Sequence, residues 1–165
     1  MPPRYNKCEF IYLSRYARAT TFVASSGDLP QGVYYALLLE LLERFAQSTP
    51  QRRVVGMRLA RIYELAVSSD QVKRFVEFGS FVTGKAEPND VDVFLIMHDA
   101  FDLSAVTGEA RLLFDHAAAQ AHFGASIFWL RGFVALSGEE EAIASWQIKR
   151  DGTRRGIVEV KETQS

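Results

Sequence analysis

Phe78 to Met97 read FGSFVTGKAEPNDVDVFLIM, and this stretch decides both the fold class and the candidate chemistry. Its second half, VDVFLIM from Val91 to Met97, is nearly continuously apolar. That pattern predicts a strand buried on both faces. The preceding run, Val72 to Phe78, alternates and is rich in β-branched and aromatic residues, which predicts a strand ending at Phe78. Gly79 lets the backbone pass close to a ligand, and Ser80 offers a hydroxyl and an N–H to an anion. Gly84 permits a second unusual turn, and Lys85 beside it is a candidate phosphate contact. A helix beginning near Ser80 would aim its first N–H groups at the same place. Pro88-Asn89 then turns the chain into the next strand, at whose start stand Asp90 and Asp92.

Residues two apart on a strand point the same way, so Asp90 and Asp92 share a face while Val91 and Val93 enter the core. Two like charges at the edge of an apolar strand repel and destabilise unless something neutralises them. A hard divalent cation does this well, because magnesium takes one or two carboxylates and completes its shell with phosphate oxygens. A phosphate-gripping turn beside a carboxylate pair is what metal-assisted phosphoryl transfer needs.

Working outward, Tyr34, Leu37, Leu38, Leu41 and Phe45 recur at three- and four-residue steps and predict a helix, with Pro50 beyond its end. Val55, Leu59, Ile62 and Ala66 predict a second helix, with Arg52, Arg58 and Arg61 on its solvent side. An Ala-rich helical region is expected between Leu103 and His122, and a strand at Ser126 to Leu130. Ser137 and Glu140 have capping-box spacing for a further helix, and Ile157 to Val160 is a last strand. Residues 1–30 are the least regular part and predict an arm or loop, with a short strand around Phe10 to Leu13. The expected plan is a single domain over 31–165, with a helical part at 31–69 and an α/β core at 70–161.

The chain has 165 residues, 48% of them hydrophobic, which suits one well-buried domain. A net charge of −1 excludes bulk attraction to nucleic acid or anionic lipid. Cys8 is the one cysteine, so no internal disulfide and no cysteine-rich zinc site can form. No stretch approaches the roughly 20 apolar residues that span a bilayer. The expectation is a soluble cytoplasmic protein with no membrane partner.

The central stretch resembles the signature of the DNA polymerase beta-type nucleotidyltransferase superfamily. That signature is a Gly-Ser pair followed about ten residues later by Asp-x-Asp in a strand. Here Gly79-Ser80, nine intervening residues and Asp90-Val91-Asp92 fall in that order, and Gly84 is similar to the extra glycine of minimal bacterial members. LPQGVYYALLLELLERF (29–45) and GIVEV (156–160) are more loosely similar to a group of uncharacterised bacterial domains of the superfamily. The resemblance covers Leu29 to Lys161. It implies a nucleotidyltransferase fold, a small mixed sheet flanked by helices with an N-terminal helical extension. It also implies that Gly79, Ser80, Gly84 and Lys85 hold the phosphates of a nucleoside triphosphate, ATP by analogy. Asp90 and Asp92 would bind magnesium or manganese, and a protein or RNA hydroxyl would accept the nucleotidyl group. Minimal members often serve in toxin–antitoxin pairs, so a toxin-like protein partner is a further expectation, and a homodimer is possible.

One departure stands out. Active members supply a third carboxylate from a neighbouring strand, and the Ala125 to Leu130 strand contains no acid. Glu159 in the last strand is the candidate, if that strand lies beside Asp92. Without it the alternative is a nucleotidyltransferase-fold binding protein, antitoxin-like, with weak transfer. Lys149, Arg150, Arg154 and Arg155 are either a solvated helix end and turn or a triphosphate contact. Arg74 faces either solvent or the site. His98 reads as an exposed strand end, and Trp129, Trp146, Phe128 and Phe133 read as core.

Overall fold

The computed structural model describes residues 11–12 and 21–162. Cys8, Arg4, Arg15 and Arg18 lie outside them. The strands are β1 (Ile11–Tyr12), β2 (Gly32–Leu37), β3 (Val72–Phe78), β4 (Val91–Met97), β5 (Ala125–Arg131) and β6 (Gly156–Lys161). They form one mixed sheet in the order β1-β2-β6-β3-β4-β5. β3 runs antiparallel to both β4 and β6, whereas β4 pairs β5 and β2 pairs β6 in parallel. The α-helices are α1 (Leu38–Phe45), α2 (Pro50–Val67), α3 (His116–Phe123) and α4 (Glu139–Ala144). No helix among the described residues is long and apolar enough to cross a membrane.

Both sheet faces are covered. On one, Phe75, Val91, Val93, Leu95 and Met97 pack with Val55, Leu59, Ile62 and Ala66 of α2 in the main core. Burying such an aliphatic side chain stabilises the fold by about 1.5–3 kcal/mol each. On the other face, Val76, Phe78, Phe94, Ile96 and Ile157 pack with Ile143 of α4. β4 therefore reads as continuous apolar sequence because it is buried from both sides.

The structure corrects several expectations. The helix expected from Tyr34 begins only at Leu38, because Gly32–Leu37 is a strand in the middle of the sheet. Tyr34, Tyr35 and Ala36 are buried in succession, which a strand covered on both faces permits. Glu40 marks the change, since its Oε2 accepts the Leu37 N–H at 2.9 Å. The N-terminal part is thus an integral strand followed by helices, not a helical extension. Pro50 opens α2, with Thr49 Oγ1 accepting the Arg52 N–H at 3.1 Å as its cap. The helix expected at Ser80 is one 3-10 turn, Ser80–Val82, too short to concentrate a helix dipole. The Ala-rich region is two 3-10 segments, Leu103–Ala105 and Gly108–Phe114, followed by α3. Gly138, not Ser137, precedes the first turn of α4, and no side chain caps it.

Arg52 overturns its assignment to solvent, being only 4% exposed. Its guanidinium lies beneath the loop after β3 and spends all five N–H groups on backbone carbonyls. Nε donates to Lys85 O at 3.0 Å; Nη1 donates to Phe45 O at 2.9 Å and Phe81 O at 2.8 Å. Nη2 donates to Thr83 O at 2.6 Å and also to Lys85 O. Two α2 neighbours help, as Thr49 Oγ1 donates to Ala86 O and Gln51 Nε2 to Pro88 O, each at 3.0 Å. Replacing Arg52 strands several buried carbonyls, each costing about 1–3 kcal/mol. Arg52→Met should therefore lower the unfolding free energy by about 3 kcal/mol or more, read by urea denaturation. A loss below about 1 kcal/mol would show that the loop holds its shape without the clamp.

Candidate functional site

Gly79 follows β3 directly and has φ 81° and ψ −160°, a conformation essentially confined to glycine. A Cβ there would overlap Asp92 Oδ2 and lie 2.8 Å from its Cγ. The missing side chain is thus the seat of the Asp92 carboxylate. Asp92 pairs across β3 with Phe78, which sets the carboxylate beside the Phe78–Gly79 corner. Asp90 stands just before β4, close enough for its charge to act on Asp92. The structure thus brings Gly79, Asp90 and Asp92 together.

The loop beyond completes one wall. Ser80 is half-buried, its carbonyl accepts from Thr83 Oγ1 at 2.6 Å, and its hydroxyl has no protein partner among the described residues. Gly84 is not in a left-handed turn; its N–H donates to Gly27 O at 2.8 Å, and the Phe22 ring occupies the space a Cβ would need. Its contribution is therefore close packing against residues 22–27, not a free N–H. Ser80, Gly84 and Lys85 line a cavity of about 510 Å³ with Asp28, Lys149 and Arg155. A second cavity of about 470 Å³ holds Asp92, Ser126, Phe78, Phe128 and Trp146. Lys149 and Arg155 line both, so the two are halves of one cleft. These cations belong to the cleft, where the sequence left them open between solvent and site.

Charge sets the chemistry here. Burial pushes the Asp92 carboxyl up to about 6, Asp90 adds to this, and Arg155 and Arg150 offset part of it. Burial lowers the Arg155 guanidinium, with Asp92 and Asp28 opposing. Arg155 also lies over the Phe78 ring at 5.1 Å, a cation–π contact. Lys149 is paired with Asp28 at 2.9 Å. The cleft thus sets the Asp92 carboxylate, with Asp28 and Asp151, among the cations Lys85, Lys149, Arg150 and Arg155.

Glu159 is not part of this arrangement. Its strand neighbours β3, with Val76 as cross-strand partner, and Val76 in turn faces Phe94. Standard sheet spacings put its Cα about 12 Å from that of Asp92. Its carboxylate accepts from Arg74 Nε and Nη2 at 2.8 Å each and from Lys161 Nζ at 2.6 Å. Burial alone would raise its pKa; the bonds from Arg74 and Lys161 outweigh this and lower it. Arg74, open between solvent and site in the sequence, is committed to Glu159 and Glu140. On the other side, β5 places Ser126 opposite Asp92. Among the described residues no three His, Cys, Asp or Glu side chains form a metal-sized group.

One acid escaped the sequence reading. Glu77 is wholly buried, faces Val93 and so points to the helix-covered side, away from the Asp92 side chain. Neither of its oxygens has a hydrogen-bond partner. Burial above all, then the Asp92 charge, raises its pKa well above the carboxylate range; the Asp92 N–H offsets this in part without meeting hydrogen-bond geometry. Burial thus disfavours the charged form of Glu77 in the interior. The available signal was a lone acid inside the apolar run Phe75-Val76-Glu77-Phe78.

Two measurements test this geometry. Gly79→Ala should destabilise by about 3 kcal/mol or more, from the backbone conformation and the overlap with Asp92 together. In an Asp92→Ala background the overlap is gone, and the cost should fall to the backbone part, about 1–3 kcal/mol. Equal costs in both backgrounds would show that the seat does not matter. The second test is pH. With Asp92 at about 6 against 3.8 in the open chain, the folded state holds a proton that the unfolded state releases. Stability then falls as pH rises through that window. Asp92→Asn should be more stable than wild type at pH 8, and its advantage should shrink on acidification through 6 towards 4. A pH-independent advantage in urea titrations would contradict the assignment.

No curated protein and no solved structure matches the chain. Residues 21–161, which include every residue of the cleft, match the profile of a family described as a family of unknown function, DUF6932, and the protein belongs to that family.

Proposed function

We propose that the cleft binds a nucleoside triphosphate together with a divalent cation, in the manner of a nucleotidyltransferase-type site on a nucleotidyltransferase fold. The observation that carries this reading is the seat of Asp92 on the Cβ-free face of Gly79, opening onto a cleft lined by Lys149 and Arg155. A half-buried carboxylate with a second carboxylate's charge acting on it is costly as mere structure, and it makes sense as a site for a bound cation.

The donor set fits magnesium or manganese. Asp90 and Asp92 are hard oxygen ligands, and Asp92 is unsettled by burial and by its neighbour in a way a cation relieves. When bound, the cation would neutralise phosphate charge between the two carboxylates. The chain's own residues do the rest. The Ser80 hydroxyl is available to donate to a phosphate oxygen. Lys149 and Arg155 offer positive charge midway along the cleft, and Lys85 at its rim. Asp28 holds Lys149 in place until a phosphate competes for it.

Binding is favoured over rapid transfer. In transfer, an acceptor hydroxyl oxygen attacks the α-phosphorus, the bond to the bridging oxygen breaks, and pyrophosphate leaves as the hydroxyl proton is removed. Among the described residues the other cleft acids are engaged, Asp28 with Lys149 and Asp151 with Thr153. Ser126 faces Asp92, Glu159 is held by Arg74 and Lys161, and Glu77 lies on the opposite face. The proposed role is therefore nucleotide-dependent recognition of a partner, such as a toxin-like protein, with transfer to a protein or RNA hydroxyl slow at best.

Calorimetric titration of each nucleoside triphosphate with magnesium, into wild type and into Asp90→Asn/Asp92→Asn, tests the site without knowledge of the acceptor. Saturable, metal-dependent binding that the double substitution abolishes is expected. No binding at millimolar nucleotide by the folded wild type would overturn the proposal. Incubation with α-labelled ATP separates the two roles, since rapid labelling of a partner would restore the transferase reading.

A further inference from the structure

The half of the cleft beyond Asp92 is built from aromatic rings. Trp146 stacks on Phe78 with centroids 4.5 Å apart and on Phe94 at 5.0 Å, both tilted by about a third of a right angle. Phe128 leans on Trp146 at 5.0 Å, with His116 on its other flank at 5.5 Å. Phe78 and Phe94 are buried, which makes them a rigid foundation. Phe128 is 39% exposed although it stands on a strand between these rings. On the same strand face, its neighbour Ser126 is small and leaves room above Asp92. Lys149 and Arg155 join this aromatic half to the half that contains Ser80.

We infer that this half of the cleft is a nucleobase subsite, in which the base of the bound nucleotide stacks against Phe128 and Trp146 while its phosphates run past Lys149 and Arg155 towards Ser80. The inference builds on the nucleotide reading above and gives the ligand its second anchor. Stacking on an aromatic face suits every base, because each has a π-face, and it discriminates by stacking strength. The subsite should thus separate nucleotides from base-free polyphosphates far more than it separates one base from another.

The test compares magnesium ATP with magnesium tripolyphosphate, which lacks base and ribose, by calorimetry on the full chain. ATP should bind wild type about ten-fold more tightly or better. Phe128→Ala should erase most of that preference, and Phe128→Tyr, which keeps the ring, should retain it. Trp146 fluorescence should be quenched by ATP and not by tripolyphosphate, and the quench should vanish in Trp146→Phe. Equal affinity for the two ligands in wild type, or a preference untouched by Phe128→Ala, would overturn the base subsite while leaving a phosphate site intact. Binding of neither ligand would remove the nucleotide reading and this inference with it.

Discussion

Arg52 carries a positive charge into the interior with no carboxylate to meet it among the described residues, and the cleft depends on what it does there. Burial lowers its pKa, a sign of how poorly water reaches the guanidinium. What compensates is a set of four carbonyl dipoles that accept five hydrogen bonds, three of the carbonyls coming from residues 81–85. A planar fork of five donors can satisfy such a loop; a lysine cannot, having three donors at one point. Because the backbone turns its carbonyls inward to Arg52, the loop is held against α2, and the Ser80 hydroxyl has no partner among the described residues.

The second constraint is the contact of Gly79 with Asp92. β3 and β4 are antiparallel neighbours, so the residue after β3 and the first turn of β4 meet at one end of the sheet. There the chain combines a backbone conformation open only to glycine with a carboxylate pushed up by burial. The buried carboxylate is unfavourable taken alone. Arg52 beneath the loop and the covered strands on either side hold the two in place, and the cleft's cations moderate the charge. The corner thus sets a carboxyl raised by burial beside Arg155 and Arg150, whose charges lower it.

The acids divide by where the sheet puts them. Asp92 opens into the cleft, and Asp90 stands close enough for its charge to act on it. Glu159, on the same side of the sheet but a strand away, is neutralised by Arg74 and Lys161 and serves stability. Glu77 points the other way, into the core, where burial raises its pKa. Four acids near one sheet end thus take three roles. Strand order, side-chain parity and the cations beside each acid make the difference, not residue type.

Sequence alone determined the local features with short-range causes. The apolar run 91–97 had to be a buried strand, Gly79-Ser80 a tight corner, and Asp90 and Asp92 same-sided, because each follows from periodicity or backbone sterics within a few residues. The helical repeat of Val55, Leu59, Ile62 and Ala66 was legible for the same reason. Only the tertiary structure decided what depends on partners distant in the chain. Tyr34 to Leu37 fit a helical spacing equally well, and pairing with β6 made them a strand. Arg52 lies on the helix turn of Arg53 yet is buried, because the 81–85 loop folds over it and not over its neighbour. Glu159 matched the chemistry of a third carboxylate, but β3 lies between it and Asp92. The aromatic floor of Phe78, Phe128 and Trp146 joins three segments well apart in sequence, and periodicity within any one of them cannot see the other two.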